Sequence, residues 1–286
     1  MLYLTLASLI WAFSFGIIKN NLTGLDPSLV SFLRMLISLL VFLPLLKMHC
    51  IKTLGLRTTL RLLFVGAIQF GLMYVCYIYS FRYLSSYEVA LFTIFTPLYV
   101  VIIDTLLNKR NFERITLFAV TVSLFGAAYI SYNKLSDSFY LFGILLVQAS
   151  NISFALGQLY YKKVMNKNPE MNDKDVFALL YLGGTICTLI LVWANNSFNG
   201  VVLNKTQILT ILYLGVVASG IAFFLWNVGA VRARTSSLAI MNNAKIPLAV
   251  AASLLFFNEQ TRLDKLLIGG GLMLVAIAIS ELKKTT

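Results

Sequence analysis

The residues best equipped for chemistry stand together in Asn242-Asn243-Ala244-Lys245-Ile246-Pro247, inside the apolar run 236–258. Amides both donate and accept hydrogen bonds, an ammonium neutralises an anion, and proline removes a backbone donor. A lysine at the centre of a membrane helix costs about 2.5–3.5 kcal/mol on insertion scales. Pro247 has no N–H, so the carbonyl of Asn243 loses its normal donor. Such a freed group is tolerated at membrane depth only against protein or a wet cavity. Two readings follow. The run holds a polar, anionic molecule, or it is a kinked helix whose lysine pairs with a buried carboxylate.

Other polar side chains recur at helical spacing. Gln148, Asn151, Ala155 and Gln158 share one face, as do Gln69, Met73, Cys76 and Ser80. Ser219, Phe223, Trp226 and Ala230 form a third face, Leu238, Asn242, Lys245 and Ala249 a fourth, and Trp11 lies on a face with Ser8 and Phe15. The bland alternative for such residues, strongest for Gln69 and Gln158, is interhelical glue. The candidate substrate-binding residues with charge or amides are Lys245, Asn242, Asn243, Asn151, Gln148 and Asn227. The candidate rings are Trp11, Trp226, Tyr74 and Phe92.

Nothing in the chain looks catalytic. Cys50, Cys76 and Cys187 are too scattered for a metal site, and His49 is the only histidine. HExxH, GxSxG, Walker and paired-carboxylate motifs are all missing from the sequence. The expectation is a protein that is not an enzyme, with no metal and no cofactor.

These residues need elements to position them, and composition says which kind. With 59% hydrophobic and 12% charged residues and a mean hydropathy of +0.84, the chain is too apolar for a soluble domain. Ten apolar runs fill it, at about 2–18, 28–46, 62–81, 86–107, 115–132, 139–161, 176–194, 207–231, 236–257 and 262–281, each long enough to cross a bilayer. The first lacks the basic start and cleavage site of a signal peptide and reads as a span. The short connections leave no room for an ATPase domain. The fold class expected is an all-α membrane protein of ten transmembrane helices.

The net charge of +12 is a topology signal rather than a nucleic-acid patch. Fifteen basic residues, from Lys47, Lys52, Arg57 and Arg61 through to Lys283 and Lys284, fall on one side. Six fall on the other: Lys19, Arg82, Lys134, Lys205, Arg262 and Lys265. By the positive-inside rule both termini are cytoplasmic.

The chain repeats itself. Tyr77 to Arg82, Ser86 and Pro97 match Asn227 to Arg232, Ser236 and Pro247 at a constant spacing of 150 residues, and Trp11-Ala12-Phe13-Ser14 with Lys19 matches Phe154-Ala155-Leu156-Gly157 with Lys162 at 143. Five spans per half is odd, so the second half enters the membrane the opposite way, and substrate is held near the midplane between halves. Symmetry breaks where Phe92, Thr93 and Phe95 face Asn242, Asn243 and Lys245 as counterparts. One half supplies amides and charge, the other rings.

This arrangement resembles the drug/metabolite transporter superfamily, with EamA-type repeats at 1–133 and 139–282. Several stretches look like the bacterial biotin transporters of that superfamily: Trp11-Ala12-Phe13-Ser14-Phe15, Val41-Phe42-Leu43-Pro44, Thr96-Pro97-Leu98-Tyr99, Leu145-Leu146-Val147-Gln148, Trp226-Asn227 and Ile240-Met241-Asn242-Asn243. Lys245 and Gln158 depart from that pattern. The resemblance implies import of biotin, or a similar small anion, across the bacterial cytoplasmic (inner) membrane by a secondary active or facilitative carrier, with lipid as its surroundings and possible proton coupling. The alternative is an EamA-type exporter or importer of another small carboxylate, amino acid or amine.

Four further ionisable groups stand in or near the apolar runs. Arg34, about a third of the way into the second run, reads as structural, needing a partner or snorkelling. Glu88 reads as solvent-exposed and, under proton coupling, as the carrier. Asp104 and Glu113 read as surface charges.

Overall fold

The computed structural model describes residues 2–108, 137–233 and 235–257, with positions 118, 121, 122, 125, 126, 129, 267, 268, 270–272 and 275. The side chains of 48, 50, 51, 235–237, 239, 240, 243–245 and 247 are not among those described. Most of the runs 115–132 and 262–281, and Glu113, therefore lie outside the described residues.

Among the described residues the regular structure is helical throughout: α1 Leu2–Leu22, α2 Pro27–Leu45, α3 Lys52–Ser80, α4 Ser86–Leu107, α5 Ser138–Asn166, α6 Asp173–Ala194, α7 Lys205–Arg232 and α8 Thr235–Phe256. The first seven are long and apolar enough to cross a bilayer. Large apolar side chains stand exposed along them, including Leu145 at 65% and Ile190 at 62%. Contiguous apolar surface of this kind suits lipid and not water. The helix α3 starts ten residues before the apolar run at 62–81, and α5 ends five after the run at 139–161. Apolar content measures the bilayer-crossing part, whereas a helix continues into its polar flanks.

Short polar side chains start these helices. Asp26 accepts from the backbone N–H groups of Ser28 (2.9 Å) and Leu29 (3.2 Å) at α2. Ser85 and Glu88 form a capping box at α4, and Asn204 and Gln207 form another at α7. Each meets donors that the first helical turn leaves free. Glu88 is only 3% exposed, which corrects the expectation of solvent exposure. Its carboxylate accepts from Ser85 N–H (2.9 Å), Ser85 Oγ (2.7 Å) and Tyr140 Oη (3.2 Å). Asp104 is half-buried.

Irregular turns interrupt three helices near mid-length. π-Helical turns occupy Ala67–Leu72 in α3 and Leu214–Ile221 in α7, and a 3-10 turn occupies Thr93–Phe95 in α4. A π turn throws carbonyls out of the regular ladder, and at membrane depth those must find other donors. In α7 they do. Gly215 O accepts from Ser38 Oγ (2.7 Å), Ala218 O from Trp11 Nε1 (2.9 Å), and Ser219 O and Gly220 O share Tyr181 Oη (2.7 Å each). In α4, Pro97 cannot donate to Thr93 O, and Thr96 Oγ1 takes that place at 2.7 Å. Phe92 O accepts from Asn151 Nδ2 at 2.9 Å.

Lysines tie chain reversals to helix ends. Lys19 Nζ donates to the carbonyls of Phe81 and Leu84 after α3, and Lys162 Nζ donates to the carbonyl of Ala233 after α7. Each cation meets carbonyls at a helix C-terminus, where the helix dipole favours positive charge.

Candidate functional site

A cavity of about 60 Å³ lies where α1 to α5 and α7 converge. Its rings are Trp11, Phe15, Tyr74, Tyr77, Phe154 and Phe223. Trp11 packs on Phe223 at 4.6 Å and on Trp226 at 5.1 Å between ring centroids, and edge-on to Phe154 at 5.9 Å. These form an aromatic floor. Polar groups enter from separate helices: Ser14 on α1, Thr93 and Thr96 on α4, Ser150 and Asn151 on α5, and Arg34 on α2.

Arg34 is 1% exposed. Its Nε donates to Ser219 Oγ at 3.0 Å, and Ser219 Oγ donates to Tyr74 Oη at 3.0 Å. The guanidinium lies 4.1 Å from the centroid of the Tyr74 ring. Nη1 is buried and has no hydrogen-bond partner, and among the described residues no carboxylate lies within ion-pair distance of Arg34.

Of the residues expected from the sequence, Trp11, Tyr74 and Asn151 line this cavity. Gln148 stands beside Asn151, accepting from Asn151 Nδ2 (3.1 Å) and Tyr99 Oη (3.2 Å). Phe92 is buried against Tyr140 and offers its carbonyl, not its ring, to Asn151. Trp226 lies behind Trp11, its Nε1 donating to Gln158 Oε1 at 2.9 Å. Asn227 exchanges two hydrogen bonds with Gln69, at 2.9 and 3.2 Å. Asn242 is buried on α8, donating to Leu238 O in its own helix (2.9 Å), and its Oδ1 has no partner among the described residues. The side chains of Asn243 and Lys245 lie outside the described residues. Arg34, Phe154 and Thr93 were not among the expected site residues. For Arg34 the signal was a charged residue inside an apolar run, and what faces it comes from α3 and α7.

The two ends of the cavity differ. Below the aromatic floor come the Gln158–Trp226 and Gln69–Asn227 pairs, then an ionic cluster. There Asp173 accepts from Tyr161 Oη (2.7 Å) and Arg232 Nη1 (3.3 Å), and Asp175 pairs with Lys47 (3.2 Å). Toward the opposite end, Ile18 alone among the described residues is shared with a second, smaller void of about 20 Å³ that reaches Arg82, itself 3.8 Å from Asp26.

A multi-pass helical membrane protein with a ring-walled cavity and a cation facing it is built to hold a small molecule between its helices. The chain belongs to the EamA-like transporter family, whose model matches residues 1–132 and again 141–281. It is a transporter and not an enzyme. It is 34% identical to the biotin transporter of Salmonella typhimurium over 97% of this chain and 91% of that one. The probable biotin transporter of Pseudomonas aeruginosa is 34% identical, over 99% of this chain and 98% of its own length. The biotin transporter of Escherichia coli matches at 34% over 97% of this chain. A solved crystal structure with 16% sequence identity superposes with a TM-score of 0.67, covering 98% of this chain and 96% of its own.

Proposed function

We propose that this protein imports biotin across a bacterial cytoplasmic membrane by alternating access. The observation that carries the reading is the cavity: rings on most sides, an amide and hydroxyls on one wall, and on another a cation with no carboxylate partner among the described residues. Biotin has a ureido bicycle, an apolar valeryl chain and a carboxylate, and a site of this composition suits each part. The near full-length identity to proteins named as biotin transporters supports the same substrate.

The architecture behind it is two inverted five-helix repeats, at 1–133 and 139–282, with both termini cytoplasmic. Several features support this: the double match of the family model, the sequence spacings of 150 and 143, the paired lysine anchors at Lys19 and Lys162, and the π turns in α3 and α7. On this topology the thick seal with Asp173 and Asp175 is cytoplasmic. The smaller void that shares Ile18 with the cavity is external, as suits an importer waiting to load.

Biotin is an anion at neutral pH, and a cytoplasm-negative potential opposes its entry by about 2.3 kcal/mol per charge per 100 mV. Accumulation therefore requires a co-transported cation, for which we propose a proton, or trapping by metabolism. Accumulation of labelled biotin in cells lacking their own uptake system, with efflux followed in the same cells, tests the substrate and direction together. Saturable uptake is expected, and efflux without uptake would replace this reading with an exporter.

A further inference from the structure

We infer that Arg34 is the residue that reads the substrate's carboxylate. The inference rests on the cavity being the transport site and adds to it the group that selects an anion.

A guanidinium stays charged at any physiological pH, so burial cannot neutralise it by deprotonation. Buried charges in membrane helices are paired, and leaving one unpaired is costly. Arg34 is 1% exposed and has no carboxylate partner among the described residues. A water molecule could satisfy the hydrogen-bonding need of Nη1 but not the charge. An anionic ligand in the cavity satisfies both. The guanidinium is also held in place before any ligand arrives. Ser219 fixes Nε, the Tyr74 ring supports the planar face, and Ser219 itself sits in the π turn whose carbonyls Tyr181 and Trp11 hold. What remains without a partner among the described residues is Nη1, on the edge of arginine whose geometry matches a carboxylate.

The chemistry on the other wall completes the argument. Asn151, Thr93 and Thr96 come from α4 and α5, whereas Arg34, Tyr74 and Ser219 come from α2, α3 and α7. An anion at Arg34 would leave its apolar body among Trp11, Phe154 and Phe223, with its other polar end toward the amide. The preferred substrate class is thus a monocarboxylate with an apolar linker and a distal hydrogen-bonding head.

The test compares labelled biotin uptake in wild type, Arg34→Gln, Arg34→Lys and Lys245→Ala, with biotin or biotin methyl ester as competitor and membrane abundance followed by immunoblot. Wild type should favour the acid over the ester. Losing a charge-assisted hydrogen bond should raise the apparent KM of Arg34→Gln by about tenfold to a hundredfold and abolish the preference for the acid. Arg34→Lys keeps charge but not the fork, and should show an intermediate preference; it decides the matter if Arg34→Gln does not reach the membrane. Lys245→Ala should keep the preference. Acid–ester discrimination equal to wild type in whichever Arg34 variant is present would overturn the assignment, as would its loss in Lys245→Ala alone. Failure of wild type to take up biotin would sink the substrate reading alone. The anion site is then read on purified protein as thermal stabilisation by 5-phenylpentanoate over its methyl ester, expected in wild type and lost in Arg34→Gln; no difference between acid and ester in wild type would overturn it.

Discussion

Gln69 and Asn227 are both fully buried and satisfy one another through two reciprocal hydrogen bonds. The pairing joins α3 to α7 just below the aromatic floor, where neither side chain reaches the cavity. Gln69→Leu should strand the amide of Asn227 and cost about 1–3 kcal/mol, seen as lower membrane abundance and a lower unfolding temperature in detergent. Gln69→Leu combined with Asn227→Leu removes both polar partners and should recover much of the loss. A double variant no better than the sum of the singles would mean that the pair is not what holds these residues here. At this scale the sequence was partly legible. An amide inside an apolar run pointed to Asn151, and Trp11 and Tyr74 were candidate rings; these three line the cavity. It was not legible that Asn227 is satisfied by Gln69, 158 positions away, while Arg34 keeps a buried Nη1 with no partner among the described residues. Periodicity places a residue on a face of its own helix but says nothing about what another helix brings to that face.

At the scale of elements, helical interruptions build the site. The 3-10 turn in α4 and the π turn in α7 free carbonyls that Asn151, Trp11 and Tyr181 then hold, and the same side chains thereby become fixed beside or within the cavity wall. The existence of the long apolar helices could be read from composition. The π turns could not, because they follow from packing and shift the register of every later residue in the helix. Phe223 and Trp226 both follow the π turn of α7 and keep a shared face: both pack on Trp11, and Phe223 also lines the cavity. Helix contact also depends on glycine. Gly66 of α3 and Gly183 of α6 approach so closely that a Cβ on either would collide with a backbone carbonyl of the other helix, Leu180 O and Leu63 O respectively. Small residues of this kind let membrane helices meet. Gly183→Val should separate α3 from α6 and cost about 1–3 kcal/mol as overpacking does, so abundance should fall and Tyr181 should lose its hold on α7. Normal abundance and uptake in Gly183→Val would show that the contact can relax.

At the scale of the molecule, the cavity is closed unequally. Two layers of hydrogen bonds and an ionic cluster around Asp173 and Asp175 lie on one side, and a second void that shares Ile18 with the cavity on the other. The ten-span inverted arrangement we propose makes the first side cytoplasmic. Reporters fused at Asn168, between α5 and α6, should stay cytoplasmic, and reporters at Asn199, between α6 and α7, should be exported. Both on one side would break the arrangement. Alternating access requires the two closures to exchange around a ligand that remains bound, and counterflow reads that exchange directly without needing to know the coupling ion. Purified protein in liposomes loaded with unlabelled biotin should draw in labelled biotin transiently above its equilibrium level, and loading with the methyl ester should support far less. Entry that only equilibrates, at the same rate in loaded and empty liposomes, would contradict the account of this protein as a biotin carrier.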